Sequence, residues 1–111
     1  MHELAIMQSV VDTVVEKLGD RRVSRVKLEI GELSGVACGA LEFCFDVCVH
    51  ETSLAGAALE LATVAGAARC RTCGVESAMA QLGTPCACGS FDRAITRGDE
   101  LRLAYVEVSD V

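Results

Sequence analysis

The sequence predicts an α+β fold: a three-stranded sheet with two helices, and a small cysteine-rich module set in ahead of the last strand. Three observations carry this. Apolar residues recur at steps of three and four over residues 3–18, apolar and polar residues alternate over 23–31, 58–64 and 100–108, and paired cysteines crowd into 66–98.

In the first helix, Leu4, Met7, Val11, Val14 and Leu18 form one apolar stripe, and Gly19 supplies a stop. In the first strand Val26, Leu28 and Ile30 alternate with Arg25, Lys27 and Glu29, so one face is buried and the other wet. A loop from Gly31 to Gly39 leads to a second helix over roughly 38–51. Leu41, Phe43, Cys44, Phe45, Val47, Cys48 and Val49 put apolar groups on nearly every side of it, so it is deeply buried or covers a partner's surface, a homodimer included. The second strand, 58–64, sets Leu59 and Leu61 against Glu60. The third, 100–108, sets Leu101, Leu103 and Tyr105 against Arg102 and Glu107.

Segment 66–98 is of another kind. It holds four of the seven cysteines, the only proline and four arginines, and its apolar residues keep no period. Too short to bury a core alone, it reads as a metal-nucleated insert. The expected division is therefore 1–65 with 99–111 as one domain and 66–98 as the other.

Bulk composition narrows the function. The 111 residues carry 10 Lys and Arg against 16 Asp and Glu, a net charge of −6. A phosphate backbone needs clustered cations, so nucleic-acid binding is not expected. No run of about 18 uncharged apolar residues exists, which argues against a membrane span. His2 and Glu3 stand where a signal peptide would be basic, and a cytoplasmic location is expected. In that compartment seven cysteines point to metal or redox chemistry rather than to a disulfide framework.

The insert reads Cys70-Arg-Thr-Cys73, twelve residues, then Cys86-Ala-Cys88-Gly89. Zinc favours four tetrahedral ligands and takes thiolates in structural sites. Two facing turns would close such a site, and Gly74 and Gly89 stand where tight turns need a positive φ. The second pair is C-x-C, with a shorter and more strained bite than C-x-x-C. A redox pair or an iron–sulfur cluster is the rival reading. Four thiolates leave no open position for catalysis, and no catalytic residue is expected. Arg69, Arg71, Arg93 and Arg97 are expected to be solvated or bonded to the thiolates. Cys38, Cys44 and Cys48, the last two spaced i, i+4 on one helix face, read as buried small hydrophobes rather than a second metal site.

At the other end stands Met1-His2-Glu3. A free α-amine, the His2 amide and its imidazole are linked by short chelate rings, and Glu3 adds an amide and a carboxylate. Nitrogen-rich, square-planar surroundings suit Ni(II) or Cu(II).

Together, Met1-His2-Glu3-Leu4, the loop Ile30-Gly31-Glu32-Leu33-Ser34-Gly35, the run Leu41-Glu42-Phe43-Cys44-Phe45 and the close Cys88-Gly89-Ser90 resemble the HypA/HybF family of hydrogenase maturation factors over essentially the whole chain. The resemblance implies a nickel metallochaperone and not an enzyme. It implies Ni(II) carried transiently on Met1, His2 and Glu3, and a structural Zn(II) on Cys70, Cys73, Cys86 and Cys88. It implies delivery to the large subunit of nickel–iron hydrogenase, with a partner GTPase, HypB. The family's second pair is normally Cys-Pro-x-Cys, whereas this chain has Pro85-Cys86-Ala87-Cys88, so Cys86 is the ligand whose reach needs testing, with a carboxylate, a water or Cys38 as substitutes. The alternative function is a zinc-ribbon adaptor that docks proteins through the second helix.

Overall fold

The computed structural model describes residues 2–109. Helix α1 (Glu3–Leu18) starts after His2, whose carbonyl accepts the Ile6 amide, and stops at Gly19, whose φ of 62° turns the chain out of the helix. Met7, Val11 and Val14 are buried as the stripe predicts, but Leu4 at its head is half exposed. Strand β1 (Val23–Gly31) follows, then α2 (Cys38–Cys48), three residues shorter than expected. Strand β2 (Ala58–Val64) matches its expected bounds, and the last strand, Leu101–Val108, starts one residue late.

The insert contains three short strands that its sequence does not announce: β3 (Ala67–Cys70), β4 (Glu76–Ala78) and β5 (Arg93–Arg97). The last strand is therefore β6. Two three-stranded sheets result, ordered β2-β1-β6 and β4-β3-β5.

In the first sheet the Ser109 amide meets the Arg22 carbonyl and the Gly31 amide meets that of Glu100, so β1 and β6 run antiparallel. Val23 N–H bonds Ser53 before β2, and Glu32 N–H bonds Val64 at its end, so β1 and β2 run in parallel. Such a pair needs a crossover, and α2 lies within it. The chain divides into two compact units: Met1–Leu28, Val36–Ala62 and Leu103–Val111 in the first, Glu29–Gly35 and Thr63–Arg102 in the second.

In the first unit α1 packs on α2, and Met7, Val11, Val14, Val26, Leu28, Leu41, Phe45 and Leu54 are buried. Phe43 and Val47 stay on the outside of α2. Cys44 and Cys48 are buried on its inner side, and burial, then the neighbouring Cys44 sulfur, raises the Cys48 thiol, as expected of small apolar fillers. Cys38, at the first position of the helix, is exposed against that expectation.

One sequence expectation fails in β6. Tyr105 does not share a side with Leu103. The inside–outside alternation slips by one residue between them. Tyr105 and Glu107 turn outward, and Val106 and Val108 take the inner side. The phenol explains the preference, because its O–H finds a carboxylate outside.

In the second unit Leu33, Ala68 and Met79 make a small core, and β3 pairs antiparallel with both β4 and β5. Three chain passes meet closely here. A Cβ on Gly31 would overlap the Gly98 carbonyl, and one on Gly98 would lie 2.5 Å from the Gly66 Cα.

Candidate metal centres

The strand β3 ends on Cys70, and the next turn returns to it: Gly74 N–H bonds the Cys70 carbonyl, and the Cys73 amide points at the Cys70 sulfur at 3.4 Å. Cys86 opens a second turn, in which Gly89 N–H bonds the Cys86 carbonyl and Cys86 N–H bonds the Ser90 carbonyl. Gly74 and Gly89 have φ of 78° and 93°, the positive values that such tight turns require. Closing the second turn at Gly89 bends the C-x-C segment until both of its sulfurs face the first turn.

All four sulfurs lie within 4.8 Å of one another. The closest pairs join one turn to the other: Cys70 Sγ to Cys88 Sγ at 3.7 Å, and Cys73 Sγ to Cys86 Sγ at 3.6 Å. These distances are far from a disulfide, whose sulfurs sit about 2.05 Å apart. They match the edge of a tetrahedron with metal–sulfur bonds of about 2.3 Å, which is about 3.8 Å. Cys86 is thus as near to its partner as Cys88 is, and Cys38, on another element and exposed, is not one of the group.

The electrostatics suit a cation. The Cys73 amide, and the Thr72 amide beside it, lower the Cys70 thiol to about 6 against the opposing effect of burial. At Cys73 the Val75 amide also lowers the thiol, but the Cys86 sulfur and burial outweigh it and push it up to about 11. Four sulfurs this close cannot all ionise unless a cation sits among them. A soft divalent ion would supply that charge, and the donor set fits a thiolate-bound zinc.

Two further features hold the turns together, in roles that no sequence spacing announces. Thr72 and Ser90 share a hydroxyl hydrogen bond of 2.8 Å, and Ser90 Oγ also accepts the Asp92 amide. Ser90 was visible only as part of Cys88-Gly89-Ser90. Arg93 is the other. Its guanidinium donates to the carbonyls of Thr84, Ser77 and Ala78 and to Ser77 Oγ, tying β4 and the approach to Cys86 onto β5. Arg69, Arg71 and Arg93 donate to oxygen rather than to the cysteine sulfurs: Arg69 reaches the Gly74 carbonyl and Glu76, and Arg71 reaches Asp92.

At the amino end, His2 is exposed and Met1 lies outside the described residues. The Glu3 carboxylate accepts the backbone N–H of Ala37 at 3.2 Å, which ties the head of α1 to the head of α2. That hydrogen bond holds the Glu3 carboxyl below the usual range. Among the described residues no other group of three or more His, Cys, Asp or Glu side chains converges besides the four cysteines.

A two-unit α+β chain whose smaller unit is built round four converging thiols has the architecture of a metal-handling protein with a closed metal knot. Comparison with known proteins gives the family. Residues 1–108 match the model of the HypA family, described as hydrogenase/urease nickel incorporation, metallochaperone, and the chain belongs to that family. It is 47% identical over 109 residues to the hydrogenase maturation factor HypA of Geotalea uraniireducens, covering 97% of this chain and 99% of the relative. It is 43% identical over 111 residues to that of a Nostoc species, covering 100% and 98%. In fold it is similar to the solution structure of the Ni metallochaperone HypA from Helicobacter pylori, with a TM-score of 0.68 over 97% of each chain at 24% identity. This family comprises maturation factors for nickel incorporation and not enzymes. No helix among the described residues is long and apolar enough to cross a membrane.

Proposed function

We propose that this chain carries Ni(II) to the large subunit of a nickel–iron hydrogenase in the cytoplasm, in concert with a HypB-type GTPase. Its match to a nickel-incorporation family over residues 1–108 is the observation that carries this reading. In it, Met1, His2 and Glu3 take up the nickel, in the domain formed by 1–65 and 99–111. Cys70, Cys73, Cys86 and Cys88 hold a structural zinc in the domain 66–98.

The division of labour follows from coordination chemistry. Four thiolates close the coordination of zinc and leave nothing for exchange. A cargo ion needs donors that a receiving protein can displace one at a time, and an exposed His2 beside Glu3 offers them. Glu3 already spends one oxygen on the Ala37 amide, which fixes its carboxylate at the head of α1. Imidazole must lose its proton to bind a metal, so nickel affinity falls as the solution is acidified.

Titration calorimetry with Ni(II) tests the reading. His2→Ala, or residues added ahead of Met1, should abolish nickel binding while the zinc content stays at one per chain. Unchanged nickel affinity in both variants would remove nickel from the amino end. The second reading, a zinc-ribbon adaptor, is favoured by the exposure of Phe43 and Val47 on α2. It expects zinc alone, with no nickel retained, when the purified chain is exposed to nickel and its metals are counted.

A further inference from the structure

The four cysteines of the second unit alternate in exposure. Cys70 and Cys86 are buried, whereas Cys73 and Cys88 are exposed. The short sulfur–sulfur distances cross from one turn to the other, Cys70 to Cys88 at 3.7 Å and Cys73 to Cys86 at 3.6 Å. Each of these pairs joins an exposed residue to a buried one, and neither lies within a single turn. An oxidant that arrives from solvent therefore meets Cys73 or Cys88 first, with a sheltered sulfur of the opposite turn beside it.

The spacing works in the same direction. A bond between Cys86 and Cys88 would close a ring over one intervening residue, and the specific geometry a disulfide demands strains so small a ring. If Cys70 paired with Cys73, Cys86 and Cys88 would be left with only each other. The shortened second pair thus favours crossed bonds for both.

We propose that Cys73 and Cys88 are oxidation sites for a hydroperoxide, and that the buried cysteine of the opposite turn resolves each. Two crossed disulfides, Cys73–Cys86 and Cys70–Cys88, then replace the metal as the staple of this unit. The inference rests on the reading of these four residues as zinc ligands. With hydrogen peroxide, the exposed thiolate takes one oxygen as the O–O bond breaks, which gives a sulfenic acid and hydroxide. The buried thiolate attacks that sulfur, the S–S bond forms, and a second hydroxide leaves. Each pair gives two electrons to one peroxide. Two peroxides convert four thiolates into two disulfides and four hydroxides, and no thiolate remains to hold zinc. Crossed bonds keep the turn after β3 joined to the turn before β5, so the oxidised unit keeps its strands. Bonds within each turn would leave the two turns unjoined.

The test uses the full chain purified with zinc, whose zinc content is counted first, and hydrogen peroxide as the probe. A chromogenic chelator follows released zinc, and N-ethylmaleimide then blocks the remaining thiols. Cleavage after Arg69, Arg71, Glu76 and Arg93 separates residues 70–71, 72–76 and 77–93 for mass spectrometry. Zinc release should be complete at about two peroxides per zinc. Peptides 70–71 and 72–76 should each be attached to 77–93, and fragmentation between Cys86 and Cys88 should place Cys73 on Cys86 and Cys70 on Cys88. Hydrogen exchange should show β3 and β5 still protected in the oxidised chain, and dithiothreitol with zinc should restore the starting protein. A link between 70–71 and 72–76, sulfinic acids without a cross-link, unprotected strands after oxidation, or zinc retained in a large excess of peroxide would overturn the proposal. A chain that holds no zinc before peroxide is added would overturn the zinc reading instead, and the mapped bonds would still decide the pairing.

Discussion

The hydroxyl of Tyr105 on β6 donates a hydrogen bond of 2.9 Å to Glu60 on β2, reaching across the strand between them. Arg25 of that middle strand pairs with the same carboxylate at 3.1 Å, and Lys27 lies 5.7 Å from the centre of the Tyr105 ring. The bond shifts both groups. It is the main cause that holds the Glu60 carboxyl below its ordinary range and raises the Tyr105 phenol above its own. The signs differ. Glu60, depressed, contributes stability present above the unfolded carboxylate range and lost as pH falls through its folded value. Tyr105, raised, contributes stability present below the ordinary phenol value of about 10 and lost as pH climbs through its folded value.

This chain has one tyrosine and no tryptophan, so tyrosinate absorbance reports Tyr105 alone. Its ionisation midpoint should lie above about 10, and Glu60→Gln should bring it down towards that ordinary value. A midpoint unmoved by the substitution would mean that the hydrogen bond does not persist in solution.

The second prediction concerns the shortened cysteine pair. With Cys86 Sγ 3.6 Å from Cys73 Sγ, Cys86→Ser should lose zinc as fully as Cys73→Ser does, while Cys38→Ser should keep it. Structural zinc supplies about 10–16 kcal/mol in small zinc peptides, so chelation should unfold the insert rather than loosen it. Hydrogen exchange on the chelated chain should show β3 and β5 unprotected. Zinc retained by Cys86→Ser at wild-type affinity would assign the fourth ligand to another group.

Much of the fold was legible because its elements bury one face each. The period of Met7, Val11 and Val14 and the alternation of Val26, Leu28 and Ile30 are consequences of that burial. The insert was legible only as cysteines at ligand spacing. Its strands are three to five residues long, and their register is set by Arg93 on distant carbonyls and by the facing turns, which no period records. Leu33 looked like loop because its core partners, Ala68 and Met79, stand 35 or more positions further along. Tyr105 was misplaced because its parity was read from Leu103, whereas the alternation slips between the two and the phenol reaches outward to Glu60. At the amino end the spacing of donors was readable, but the Ala37 amide that anchors Glu3 was not, since no spacing signal links the two positions.

The third prediction follows from Arg93. Its guanidinium gathers acceptors from Ser77, Ala78 and Thr84, so Arg93→Met removes four hydrogen bonds that tie the insert together. Leaving such groups without partners costs about 1–3 kcal/mol each when buried, and less where water can reach them. Arg93→Lys recovers charge but not the planar fork, and should restore only part of the loss. Denaturant melts of the zinc-loaded chain, followed by exchange at β4 and β5, measure it. Equal stability in all three proteins would make the arginine dispensable.

The last prediction separates two reasons for a glycine. Gly83 and Gly98 have nearly the same backbone, with φ of 86° and 87°. A Cβ on Gly83 would meet nothing within 4 Å, whereas one on Gly98 would lie 2.5 Å from the Gly66 Cα and 2.8 Å from the Ala65 carbonyl oxygen. Gly83→Ala should therefore cost only the strain of a left-handed residue, about 1 kcal/mol. Gly98→Ala must in addition push apart backbone that has no flexible side chain to yield, in a unit whose core is Leu33, Ala68 and Met79. It should cost several-fold more, about 3 kcal/mol or above. Both variants should be melted with zinc bound, because metal loss would mask the difference. Equal costs would show that the close crossing of Gly66 and Gly98 relaxes freely, and that φ alone selects glycine at position 98.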